Sequence, residues 1–191
     1  MGATLTLVNL AGAIALTRMV LPDMLASAWG RIVNVSSMMA VTGSPGFAVY
    51  SAAKSGLLGF SEALERELRS FGDVDVTVVL PPSVKTRAFE EAKQSEPALM
   101  RWSLVPPVTP EQVARRTVRG LVSGRRRVYC GVQSYLVSLA QRFVPFLMDR
   151  ILMFMFRPPP RRLPGHRLEL RAGAGEGRLP ASIPVASRVP T

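Results

Sequence analysis

Apolar positions along this chain switch between the period of a helix and the period of a strand. Over about residues 3–28 the apolar side chains recur at helical spacing, which predicts a long and mostly buried helix ending near Gly30. Residues 31–35 form a short β-branched run and predict a strand that passes into a loop at Ser36. The apolar positions of the helix are Leu7, Leu10, Ile14, Met19 and Leu25.

The same alternation continues further along the chain. Residues 47–71 carry an apolar stripe at helical spacing, and residues 75–80 are nearly continuous β-branched sequence, as expected for a strand buried on both faces. A Thr-Pro-Glu sequence opens a helix over 109–124, and residues 127–131 predict a short strand. Strand, helix and strand repeated in this order predict an α/β fold with a parallel sheet.

Three segments depart from the alternation. Residues 86–107 have the composition of a mobile excursion, which in α/β enzymes often lies over the ligand. Residues 135–156 are densely apolar, but the run free of polar groups, 151–156, is too short to cross a bilayer. This segment either packs on the domain or a second subunit, or lies on a membrane surface as amphipathic helices. The Arg-, Pro- and Gly-rich remainder predicts disorder.

These patterns divide the chain into three parts. Residues 1–131 form the α/β part, residues 132–156 an apolar helical segment, and residues 157–191 a disordered tail. With 191 residues, 48% hydrophobic and 19% charged, the chain is long and apolar enough to build one core.

Cysteine and histidine content excludes several kinds of site. Cys130 is the single cysteine, which rules out an intrachain disulfide and a cysteine-cluster zinc site. His166 is the single histidine, so no pair of histidines can bind a metal, and we expect no metal site. The N-terminus lacks the basic region of a signal peptide, so we expect a cytoplasmic protein, with membrane association through residues 135–156 as the alternative.

The net charge of +11 at first indicates nucleic-acid binding. The basic residues are spread along the chain, however, and from Arg157 to the end seven arginines face Glu169 and Glu176. We therefore expect no nucleic-acid partner.

Tyr50 and Lys54 are the residues that indicate chemistry. They stand four positions apart near the start of a helix, so their side chains project from one face, one turn apart. A tyrosine hydroxyl exchanges protons near neutral pH only if a neighbour stabilises its phenolate, and an adjacent ammonium does so by Coulomb attraction.

Four features in this order closely resemble the classical short-chain dehydrogenases/reductases over about residues 3–131. They are Asn9 in a long helix, Ile-Val-Asn-Val-Ser-Ser at 32–37, Tyr50-Ser-Ala-Ala-Lys54-Ser-Gly, and the loop Pro81–Thr86 after a buried strand. The resemblance implies the C-terminal half of a Rossmann-type, doubly wound parallel sheet with a helical extension. It also implies a homo-oligomer, because the two long helices commonly form a subunit interface in this family.

The resemblance also implies a role for each site residue. Ser37, thirteen residues before the tyrosine, would polarise the substrate oxygen, and Tyr50 would be the general acid in reduction and the base in oxidation. Lys54 would lower the pKa of Tyr50 and bind the nicotinamide ribose, and Asn9 would hold a water of the proton relay. The alternatives are a purely structural role for Ser37 in closing the strand and for Asn9 as a satisfied core group.

The loop after the second strand departs from the family in one position. It has Pro82 where the family usually has glycine, while its other positions match, so we expect cofactor contacts at Pro81, Val84 and Thr86.

The glycine-rich phosphate loop of the family is the larger departure. It would precede Asn9, yet eight residues stand before Asn9 and no such motif occurs in the sequence. We therefore expect an N-terminally truncated chain, from a start codon assigned too late, a gene fragment, or a missing half supplied by another polypeptide. The strand at 31–35 would then be an open edge, and the choice between NAD and NADP is hidden.

Together these observations predict an NAD(P)-dependent oxidoreductase that interconverts a hydroxyl and a carbonyl on a small or lipid-like apolar substrate. The alternative is a catalytically inactive fragment that binds partners or a membrane surface.

Overall fold

The computed structural model describes residues 6–95 and 106–155, and the fold is that of these residues. The chain divides into two units, Met1–Arg157 and Pro158–Thr191, and every described residue belongs to the first. The predicted tail therefore lies outside the described residues.

Helices and strands alternate through the described residues. Helix α1 is a π-helical segment, Leu7–Ala11, continued by an α-helical segment, Gly12–Ala26. The remaining elements are β1 Trp29–Val35, α2 Met39–Thr42, α3 Ala48–Leu68, β2 Asp73–Leu80, α4 Arg87–Ser95, α5 Pro110–Val122, β3 Arg127–Tyr129, α6 Val132–Phe143 and α7 Pro145–Met155.

The strands form one parallel sheet in the order β1-β2-β3. Ile32 of β1 pairs with Val76, and Val79 of β2 pairs with Val128. This confirms the predicted α/β fold. Residues 76–80 are all buried, as predicted for a strand covered on both faces. Among the described residues β1 is an edge strand, because no described strand pairs with its outer side.

Helices cover both faces of the sheet, which makes it doubly wound. On one face, side chains of β1, β2 and α3 form a buried cluster against which α1 packs. On the other face, Val79, Val128 and Cys130 pack against Val113 of α5. The residues of the first cluster are Ile32, Leu64, Leu68, Val74 and Val76.

A buried polar pair links β1 to α3 between these apolar contacts. The amide nitrogen of Asn34 donates to the hydroxyl of Ser61 at 2.9 Å, and that hydroxyl donates to the Leu57 carbonyl at 2.7 Å. Buried polar groups cost free energy unless they are paired, so these bonds fix the rotation of α3 against the strand.

The prediction that α1 is mostly buried is wrong. Thr17 is its one buried residue within the described range, while Leu7 and Met19 are 63% and 73% exposed. The helical spacing was correct, but spacing does not tell whether a neighbour covers the outer stripe, and no described element lies beyond β1. By length and composition Leu7–Ala26 could also cross a membrane; it is the one such helix in the described part of the chain, and both core helices and signal sequences pass that test.

The segment predicted as a mobile excursion contains a helix, α4, which the composition did not indicate. Residues 96–105 of that segment lie outside the described residues. The two ends of the excursion are joined by a parallel bridge between Val84 and Val108. The Lys85 N–H donates to the Val108 carbonyl and the Val108 N–H to the Ser83 carbonyl, each at 2.9 Å.

The contact of α5 with β3 gives a test of this packing. An added Cβ at Gly120 would overlap the side chain of Val128, whereas a Cβ at Gly59 of α3 would meet nothing within 4 Å. Alanine is favoured over glycine in a helix by about 1 kcal/mol. Gly59→Ala should therefore raise the free energy of unfolding by up to about 1 kcal/mol, and Gly120→Ala should lower it by about 1–2 kcal/mol through overpacking.

Urea unfolding of both variants measures this difference. Gly120→Ala should lower the free energy of unfolding less in a Val128→Ala background than in the wild type, because the overlapping side chain is then absent. Equal stability of the two single variants would contradict the described contact between α5 and β3.

Candidate active site

The ends of β1 and β2 lie side by side because parallel strands finish at the same edge of a sheet. Pairing continues past the strands: the Ser36 N–H donates to the Val79 carbonyl and the Met38 N–H to the Pro81 carbonyl, each at 2.9 Å. The loops after β1 and β2 are therefore held next to each other at the carboxyl edge, where α/β proteins bind ligands.

Two hydrogen bonds attach the first turns of α3 to the end of β1. The Ser36 hydroxyl donates to the Lys54 carbonyl at 2.8 Å, and the Lys54 ammonium donates to the Val35 carbonyl at 2.9 Å. The ammonium also lies 5.7 Å from the centre of the Tyr50 ring. The helix spacing thus places Tyr50 and Lys54 together, and the strand end fixes their position.

A cavity of about 460 Å³ opens at this edge. It is lined by six of the seven site residues that the sequence analysis predicted. Its wall also contains apolar side chains from the loops after β1 and before α3 and from the helices α4, α6 and α7. The predicted residues are Ser37, Tyr50, Lys54, Pro81, Val84 and Thr86. The apolar side chains include Met38, Phe47, Phe89, Val137, Met148 and Leu152.

Asn9 is the predicted site residue that does not line this cavity. It lines a second cavity, of about 510 Å³, between α1 and the edge strand β1. Val35 and Lys54 border both cavities. Asn9 therefore shares a cavity with Lys54, but not with Ser37 and Tyr50.

Burial governs the proton affinities of the site. Desolvation raises the pKa of Tyr50 above its ordinary value, and a side-chain hydrogen bond with Ser37 opposes this in part. Desolvation lowers the pKa of Lys54. Lys54 is not among the causes of the shift in the Tyr50 pKa, of which burial is the largest, and its ammonium donates to the Val35 carbonyl.

The loop Pro81–Thr86 contains no cis peptide bond and no residue with positive φ. Thr86 has a structural contact of its own, since its hydroxyl accepts from the Phe89 N–H at 3.3 Å at the start of α4.

Two contributions to the site escaped the sequence analysis. Ser36 holds the backbone of Lys54, a contact that joins positions eighteen residues apart and has no local signal. The helices α6 and α7 supply part of the cavity wall through Val137, Met148 and Leu152. The four-residue spacing of Met148 and Leu152 places both on one face of α7, and this spacing could have indicated that α7 contributes to the cavity wall.

The chain is similar to known proteins in sequence and in fold. A family model described as short chain dehydrogenase matches residues 3–97. The chain is 34% identical to 3-ketodihydrosphingosine reductase from Bos taurus, over 69% of this chain and 40% of that protein. It is 37% identical to 3-oxoacyl-[acyl-carrier-protein] reductase from Synechocystis sp., over 68% of this chain and 51% of that protein.

Among solved structures, a short chain dehydrogenase from Burkholderia cenocepacia in complex with NADP is similar in fold. The TM-score is 0.66 at 23% identity, over 80% of this chain and 59% of that chain. The chain thus spans about 40% to 50% of the length of these curated relatives.

The hydrogen bond between Ser37 and Tyr50 can be tested by titration. Ser37→Ala should raise the pKa of Tyr50 further, because it removes the contact that opposes desolvation. Phenolate absorbance, taken as the difference between each protein and its Tyr50→Phe counterpart, isolates this group from Tyr129 and Tyr135. Ser44→Ala, another hydroxyl at the same cavity, should leave the titration unchanged. A lower Tyr50 pKa in Ser37→Ala would contradict the assignment.

Proposed function

This chain belongs to the short-chain dehydrogenase family, and on that premise we propose that it is an NAD(P)-dependent oxidoreductase acting on a lipid-like apolar substrate. The reaction is the interconversion of a hydroxyl and a carbonyl. The observation that carries the proposal is the convergence of Ser37, Tyr50 and Lys54 on one cavity with a largely apolar wall.

The side chains divide the proton chemistry between them. In reduction the Tyr50 hydroxyl gives its proton to the carbonyl oxygen, while the Ser37 hydroxyl donates a hydrogen bond to the same oxygen. Lys54 then returns a proton toward Tyr50, a step its lowered pKa favours. In oxidation the same groups act in reverse, with Tyr50 as the base.

The residues present fit the nicotinamide side of a dinucleotide cofactor. The Lys54 ammonium and the Tyr50 hydroxyl offer donors to the ribose, and Pro81, Val84 and Thr86 would border the nicotinamide ring. When bound, the reduced nicotinamide supplies the hydride that the carbonyl carbon accepts. No glycine-rich phosphate loop occurs within residues 6–95 and 106–155, so the proposed contacts stop at the ribose.

The apolar wall supports a lipid-like substrate. Phe47, Phe89, Met148 and Leu152 reach the same cavity as the catalytic hydroxyls, so an alkyl chain beside the carbonyl can be buried there. The names of two relatives specify a ketodihydrosphingosine and an oxoacyl group on acyl carrier protein, each of which contains a keto group.

We further propose a cytoplasmic homo-oligomer that contacts a membrane surface through residues 135–156. Exposed apolar side chains on α1 support the subunit contact, and those on α6 and α7 support the membrane contact. The second candidate function, a catalytically inactive protein that binds through these surfaces, is favoured by the same exposure.

Substitution of the two central residues separates these functions. Tyr50→Phe should reduce turnover of a long-chain ketone by at least about a hundredfold while leaving the unfolding temperature unchanged, because it removes the proton donor but not the ring. Lys54→Ala should weaken NADH or NADPH binding, measured by fluorescence enhancement.

Matched controls are Tyr135→Phe and Lys85→Ala, which remove the same groups away from the cavity. Wild-type turnover that survives Tyr50→Phe would refute Tyr50 chemistry. A folded wild-type chain that binds neither cofactor would favour the inactive alternative.

The direction of the Tyr50 pKa shift sets the pH dependence. Reduction needs the protonated phenol, and a raised pKa keeps it protonated through the neutral range. Reductive kcat/KM should therefore be flat near neutral pH and fall only at alkaline pH, while oxidation should accelerate as pH rises. Rate profiles in both directions measure this, and a reductive rate that increases from neutral to alkaline pH would contradict it.

A further inference from the structure

Helices α6 and α7 form a pair whose inner side belongs to the candidate active site. Helix α6 is attached to β3 through a hydrogen bond of 3.0 Å between the hydroxyls of Tyr129 and Ser138. The rings of Tyr129 and Tyr135 pack edge to face with centres 5.5 Å apart. From α7, Met148 is buried and lines the cavity together with Leu152. The pair is thus a fixed wall of the site.

The outer side of the same pair is apolar and open. Eleven large apolar residues within 132–155 are exposed, and the most exposed on α7 are Phe146, Met153 and Phe154, at 73% to 75%. Water does not solvate such side chains favourably, and a concentration of exposed apolar residues on two neighbouring helices indicates an interaction surface. The exposed set is Val132, Tyr135, Leu136, Leu139, Phe143, Val144, Phe146, Leu147, Ile151, Met153 and Phe154.

The charge of the helix pair favours an anionic partner for this surface. Arg142 and Arg150 stand on the pair against a single acid, Asp149, and the Arg150 guanidinium lies 5.8 Å from the centre of the Phe146 ring. In the sequence, residues 157–191 follow directly with seven arginines against two glutamates. Exposed aromatic residues beside basic residues match the interface of an anionic bilayer. A second copy of this chain placed face to face would instead bring the same two arginines against Arg142 and Arg150.

We propose that the outer face of α6 and α7 docks on an anionic membrane surface. The aromatic and methionine side chains enter the lipid, and the arginines contact the headgroups. Since the inner face of the same helices lines the cavity, docking brings the active site to the bilayer, and a lipid-like substrate reaches it without crossing water. This last step rests on the proposed oxidoreductase function, whereas docking itself does not.

Vesicle binding by the full chain tests docking. The chain should sediment with phosphatidylcholine vesicles containing about one third phosphatidylserine, and at least about tenfold less with phosphatidylcholine alone. Phe146→Gln with Phe154→Gln should reduce binding at least tenfold without lowering the unfolding temperature. Arg142→Gln with Arg150→Gln should reduce binding to the anionic vesicles by roughly fivefold for each arginine.

Val118→Gln with Val122→Gln is the matched control, because these residues form an exposed apolar pair on the separate helix α5. This control should bind vesicles like the wild type. Equal binding to both vesicle types, or binding unaffected by the Phe146 and Phe154 changes, overturns the proposal. Self-association that depends on those two phenylalanines, with no vesicle binding, also overturns it and makes this face a subunit interface.

Turnover separates substrate access from catalysis. With NADH and NADPH each supplied in turn, the Phe146 and Phe154 variant should lose at least tenfold in rate on a long-chain β-keto ester held in anionic vesicles, yet keep the wild-type rate on ethyl acetoacetate in solution. Equal losses on both substrates overturn the access step. Wild-type inactivity on both, with vesicle binding intact, refutes the proposed oxidoreductase function and leaves docking standing.

Discussion

The geometry of the site depends on one reciprocal contact between the end of β1 and the start of α3. Ser36 donates from the strand end to the backbone of Lys54, and Lys54 donates from the helix to the backbone of Val35. A half-buried ammonium costs free energy unless a carbonyl or carboxylate solvates it, so this contact stabilises Lys54 where it lies. Because Tyr50 is one turn away on the same helix, its hydroxyl is placed by the same two bonds.

The elements and the pairing of Tyr50 with Lys54 could be predicted from sequence because both are local patterns. A β-branched run, a helical stripe and a four-residue spacing each lie within one segment, and the parallel sheet then brings the strand ends together. The position of Ser37 relative to Tyr50 came from family resemblance rather than from a physical pattern. In the structure both line one cavity.

The remaining properties could not be predicted because they depend on contacts between distant segments. The exposure of α1 depends on what lies beyond β1, and the direction of the Tyr50 pKa shift depends on burial by the cavity wall. Asn9 was assigned by resemblance to the relay, yet it lines the neighbouring cavity. Two further differences are local: helix α4 was missed because few of its residues are apolar, and the break between α6 and α7 falls at Val144, inside one apolar run.

The bridge between Val84 and Val108 has an evolutionary consequence. Two backbone hydrogen bonds hold the two ends of the segment between these residues together, and Val84, at one of these ends, lines the cavity. The entropy of closing a loop grows only slowly with its length. Residues can therefore be inserted, deleted or exchanged between Thr86 and Val108 while the positions of Ser37 and Tyr50 are preserved. The fold thus separates a segment that tolerates change from the cavity residues whose positions the proposed chemistry requires.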